Sequence, residues 1–115
     1  MRIFSLNSVG TAAMVAALAL ATSASGAESG QQFTVVMNNM NFGQMPGQVH
    51  IGDTIIWSNQ DTVQHSATAR DGSFDIRLQP GQKGRTVLKK AGKIAVDCLY
   101  HPTMRTTLNV LPAPK

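Results

Sequence analysis

From Gln32 onward the chain is cut at close intervals by turn signals: Asn38-Asn39, Pro46-Gly47, Gly52-Asp53, Asp71-Gly72, Pro80-Gly81 and Ala91-Gly92. The pieces between them are short and none carries a sustained helical period. Phe33-Thr34-Val35-Val36-Met37 alternates with a period of two, placing Phe33, Val35 and Met37 on one face. Thr54 to Ser58 is β-branched and aromatic, with Ile55 and Trp57 expected inward. Further strands are expected over Gln48 to Ile51, His65 to Ala69, Arg85 to Leu88, Ile94 to Cys98 and Thr106 to Leu111, with Leu108 and Val110 inward in the last. A chain patterned in this way is an all-β, single-domain β-sandwich or small barrel.

The first 27 residues stand apart from that pattern. Arg2 precedes an uncharged apolar run from Val9 through Leu20, which passes into the small residues Ala21 to Ala27. This is the form of a secretory signal peptide, with cleavage after Ala27 preferred and after Ala24 as the alternative. No Arg-Arg pair precedes the run, so Sec export is the expected route. The run is also short for a membrane-spanning anchor. Residues 28–115 then form one domain, too small for two. Removing Arg2 with the leader from the ten Lys and Arg leaves nine against six Asp and Glu. So mild a positive excess could steer an acidic partner surface. It lacks the basic run with interleaved aromatics expected of a nucleic-acid binder.

The chain has a single cysteine, Cys98. Exported proteins meet oxidising conditions and usually pair their thiols, so an unpaired one calls for a reason. Cys98 could be a buried inert thiol, an intermolecular crosslink, a nucleophile or a metal ligand. Its surroundings favour the last. Cys98-Leu99-Tyr100-His101-Pro102-Thr103-Met104 packs a thiolate, an imidazole and a thioether into seven residues, and these soft and borderline donors suit copper. His65, at the start of an expected strand, is the candidate for a fourth ligand. Two imidazoles and a thiolate with a weak methionine sulfur describe a blue-copper electron-transfer centre. The other methionines beyond residue 27, Met37, Met40 and Met45, read as packing, and His50 as a surface residue on an edge-like segment.

The chain resembles a cupredoxin of the plastocyanin and azurin superfamily, nearest the short-loop amicyanin-like and pseudoazurin-like carriers. The likeness rests on Met40-Asn41-Phe42, Gly52 to Asn59, Asp61 to His65, Asp71 to Phe74, Gln79-Pro80-Gly81, Ala91-Gly92 and above all Cys98 to Met104. Two residues between Cys98 and His101, and two between His101 and Met104, match the amicyanin-type loop. The resemblance implies a Greek-key sandwich and one type 1 copper ion cycling between Cu(I) and Cu(II). It implies His65, Cys98, His101 and Met104 as ligands, a Ser66 backbone donor to the Cys98 sulfur, and Asn59 as a brace for the ligand loop. The chain departs from the family at Gln64, Val96-Asp97, Gln44 and Thr106, where proline, aromatics, proline and glycine are common.

The expected function is that of a monomeric periplasmic carrier of single electrons. Its partners would be transient redox proteins of the cytochrome c or periplasmic dehydrogenase class, with no membrane contact after leader cleavage. Copper storage or delivery is the alternative, because the same ligands bind Cu(I) well. An enzyme using Cys98 as nucleophile is the weakest reading, since no orienting third group or oxyanion-hole motif accompanies it.

Overall fold

A computed structural model describes residues 30–114, so the expected leader over 1–27 lies outside the described residues. Nine strands follow in order: β1 (Gln32–Asn38), β2 (Asn41–Phe42), β3 (Val49–His50), β4 (Thr54–Asn59), β5 (His65–Ala69), β6 (Asp75–Leu78), β7 (Lys83–Val87), β8 (Gly92–Asp97) and β9 (Arg105–Leu111). They form two sheets, β2-β1-β4-β7 and β3-β9-β8-β5-β6, so the chain is the all-β sandwich its punctuation demands. No described helix is long and apolar enough to cross a membrane.

The core lies between the sheets and follows the alternation of the strands. In the first sheet β1 runs parallel to β4, pairing Phe33 with Ile55 and Val35 with Trp57. Val35, Met37, Ile55 and Trp57 are fully enclosed. The second sheet contributes Ala67, Leu78, Ile94, Val96, Leu108 and Val110. Burial of each large side chain is worth about 1.5–3 kcal/mol. Trp57 is the centrepiece: Phe42 meets it edge-on at 5.9 Å and Phe74 lies at 6.0 Å. Its indole N–H donates to Thr86 Oγ1 at 3.1 Å, so this buried donor is satisfied.

The structure corrects the expected boundaries in several places. The strand expected from Arg85 begins at Lys83 and ends at Val87, because Gly84 lies within a strand rather than before one. A Cβ at Gly84 would meet Ile76 Cγ2 at 2.5 Å, so the missing side chain lets β7 approach β6 of the other sheet. Strand β6 was not anticipated: Asp75 and Arg77 face solvent on a sheet edge, where charges protect against edge pairing. Met40, read as a packing residue, is exposed instead. Asn39 (φ 52°) and Met40 (φ 61°) form a two-residue turn that returns β1 into β2, with Asn38 opposite Asn41. Positive φ at both central residues is what the right-handed twist of a tight hairpin requires. His50 lies on the edge strand β3 and is partly exposed, as expected.

Candidate metal centre

The strand order brings the four expected ligand residues to one end of the sandwich. His65 is the first residue of β5 and is fully buried. Cys98 follows directly on β8, Met104 directly precedes β9, and both are buried. His101, on the loop between them, is partly exposed. That loop is folded tightly on itself. The Cys98 amide donates to the Met104 carbonyl at 3.0 Å, and the Met104 amide donates to the His101 carbonyl at 2.9 Å. Three of the four expected ligand residues are thus tied together through their main chains.

The donor atoms converge. His65 Nδ1 and His101 Nδ1 are 3.2 Å apart, and Cys98 Sγ lies 3.8 Å from the first and 3.5 Å from the second. With metal–nitrogen bonds of about 2.0 Å and a metal–sulfur bond of about 2.3 Å, a trigonal N, N, S set needs edges of roughly 3.5–3.7 Å. The observed triangle is already close to that size. Its donors, one thiolate and two imidazoles, are those of copper and zinc sites. Met104 is in the same loop and enclosed, with its main chain bound to the other two loop residues.

Around this triangle the supporting contacts are specific. The Ser66 amide donates to Cys98 Sγ at 3.4 Å, the contact expected from the resemblance. Asn59 is completely buried, but it braces the β4–β5 loop rather than the loop carrying Cys98. Its Nδ2 donates to the carbonyls of Val63 (2.8 Å) and Leu78 (3.1 Å), and its Oδ1 accepts from the Asp61 amide at 2.9 Å. This rigid turn delivers His65.

Asp61 is the residue that sequence reasoning left without a role. Its Oδ2 lies 2.9 Å from His65 Nε2 and accepts the Met40 amide at 3.0 Å, while Oδ1 accepts the Thr62 amide at 2.9 Å. These donors, the Met40 amide first and then His65, hold its carboxyl down at about 2. An ionised carboxylate can only accept, so His65 donates to it from Nε2, which leaves Nδ1 facing His101 and Cys98. The available signal was an acid four residues before the histidine within one turn-forming segment.

The chain is similar to known proteins in sequence and in fold. The family model for a cupredoxin-like domain matches residues 10–110. The methylamine utilization protein MauL of Methylorubrum extorquens is 33% identical over 84 residues, covering 69% of this chain and 73% of its own. Among solved structures, a methionine-to-alanine variant of amicyanin in the Cu(I) form superposes with a TM-score of 0.62 at 21% identity, over 68% of this chain and 80% of its own. A purple cupredoxin from Nitrosopumilus maritimus gives 0.53 at 18% identity, over 68% and 98%. At those identities the two structures speak to the fold.

Proposed function

This chain belongs to the cupredoxin family as an amicyanin-like blue copper protein, and on that footing we propose that His65, Cys98, His101 and Met104 hold one type 1 copper ion. Cupredoxins are electron carriers and not enzymes. The bound copper supplies a one-electron Cu(I)/Cu(II) couple. The observation that carries the ligand assignment is the convergence of both Nδ1 atoms and the Cys98 sulfur on one small triangle.

The residues divide the work. His65, locked by Asp61 and sealed from solvent, fixes one corner of the site. Cys98 is held by the Ser66 amide, which restrains the position of its sulfur. His101 alone among the four is partly open to solvent, and its imidazole edge is the route by which an electron reaches a docked partner. Leu99 and Tyr100 are exposed beside it and offer an apolar contact for a short-lived complex. Burial of the other three ligands favours retention of the metal, and therefore a carrier over a copper-delivery protein.

The partners are transient redox proteins of the cytochrome c or periplasmic dehydrogenase class. The relative named for methylamine utilization supports partners that serve the use of methylamine. The leader-like residues 1–27 support work in the periplasm, by residues 28–115 as a monomeric domain free of the membrane. The test is addition of Cu(II) to the mature protein, followed by visible absorption and electron paramagnetic resonance. An intense blue band with narrow copper hyperfine splitting supports the site. A pale spectrum with ordinary splitting removes Cys98 from the copper.

A further inference from the structure

The outer face of the β5–β6 edge carries a line of side chains that ends on the ligand loop. The Leu99 amide, next to Cys98, donates to Ser66 Oγ at 2.8 Å. Ser66 Oγ lies 2.9 Å from Thr68 Oγ1, and Thr68 Oγ1 donates to Asp75 Oδ1 at 2.8 Å. Arg77 closes the far end, donating to Asp75 Oδ2 through Nε at 3.2 Å and Nη2 at 2.9 Å. The strand register makes this line possible, since Thr68 stands opposite Asp75 and Ser66 opposite Arg77.

The two ends decide the direction of every bond between them. A backbone N–H can only donate, and an ionised carboxylate can only accept. Ser66 Oγ, already accepting from Leu99, therefore gives its own proton to Thr68. Thr68 gives its proton to Asp75. Arg77 and Thr68 both favour the charged form of Asp75, which keeps that end an acceptor. Such a chain polarises in one sense and strengthens along its length. Ser66 grips the loop twice, by its hydroxyl at Leu99 and by its amide at the Cys98 sulfur.

We infer that Thr68 and Asp75 are positioning residues for the ligand loop, acting through Ser66 to hold the Leu99 peptide and with it the Cys98 sulfur. The inference rests on the reading of that loop as copper-binding. Its contribution is to keep the thiolate in one place during oxidation and reduction, so that little rearrangement accompanies each electron.

The test is Thr68→Val beside Thr68→Ser in the mature protein. Valine matches threonine in shape and suits a strand at least as well, so only the hydroxyl is lost. In the metal-free protein, amide hydrogen exchange at Leu99 is expected to quicken at least tenfold in Thr68→Val and to return to the parent rate in Thr68→Ser. In the copper-loaded protein, the electron self-exchange rate is expected to fall severalfold in the valine variant and to recover in the serine variant. If Thr68→Val does not fold, Asp75→Ala removes the terminal acceptor from the exposed end and is held to the same two readouts. An unchanged Leu99 exchange rate overturns the inference, and so does faster amide exchange with unaltered self-exchange. A parent protein that gives no blue band sinks the copper reading by itself, because the amide measurement is made without metal.

Discussion

The Nδ1 atoms of His65 and His101 face each other across 3.2 Å, with the Cys98 sulfur completing the triangle. Two imidazole nitrogens and a thiol so close together want a cation between them, and the fold holds them there from two segments, the start of β5 and the loop from Cys98 to Met104. Copper binding should therefore stabilise the native state strongly. Free metal at a hundred times its dissociation constant adds about 2.7 kcal/mol, which raises the melting temperature of a domain this size by roughly 10–20 °C. Thermal melts with and without copper measure it. Cys98→Ser should lose the blue band and most of the shift, and a parent melting temperature indifferent to copper would contradict the site.

Asp61 places a negative charge 2.9 Å from His65 Nε2. The charge favours Cu(II) over Cu(I), and the hydrogen bond makes the imidazole a better donor, which also favours Cu(II). Both effects lower the reduction potential. Asp61→Asn should raise it, by up to about 59 mV if the preference for Cu(II) drops tenfold. Voltammetry at neutral pH decides, and an unchanged or lowered potential would mean the carboxylate does not act on the metal.

Acid should weaken the metal-free fold in a defined window. Asp61 and Asp71 are each lowered from 3.8 to about 2, the first by the Met40 amide and His65, the second by Ser73 and then Lys90. A carboxyl with a depressed folded value binds its proton more readily when unfolded. Its stabilisation is present above about 3.8 and is lost as pH falls toward 2. Denaturant midpoints between pH 5 and pH 2 should fall with the steepest slope in that range. Asp71→Asn should flatten the slope without touching the copper site.

What the sequence reveals here depends on how local the governing physics is. The inward faces of β1, β4, β8 and β9 are written as alternation, which shows the strands themselves, although β8 runs from Gly92 to Asp97 rather than from Ile94 to Cys98. His65 and the Cys98 to Met104 loop are visible because their donor types are rare and closely spaced. Strand β6 escapes notice because its outward residues are charged and it owes its extended form to pairing with β5. The exposure of Met40 escapes because an Asn-Met turn has no glycine to announce positive φ. Asp61 escapes for a different reason. Its role exists only once Asn59 has fixed the loop and the hairpin turn has brought the Met40 amide to the same oxygen that meets His65.

Asn59 is the residue on which that loop depends, and its replacement gives the sharpest test of the architecture. Its side chain is fully buried, and it satisfies two carbonyls and one amide: those of Val63, Leu78 and Asp61. Its own backbone is already committed, the amide to Gln82 and the carbonyl to Gly81, so nothing local can take over. Asn59→Ala leaves those partners without bonds in a site too enclosed for easy hydration, at roughly 2–4 kcal/mol. Asn59→Asp should cost more, because a carboxylate would face the two carbonyls that the amide now satisfies. Since the loop carries both Asp61 and His65, either variant should also broaden the copper resonance and quicken metal loss to a chelator. Melting curves and chelator kinetics measured together separate the two effects. A loss of stability in Asn59→Ala with unchanged copper retention would show that the loop holds His65 without this brace.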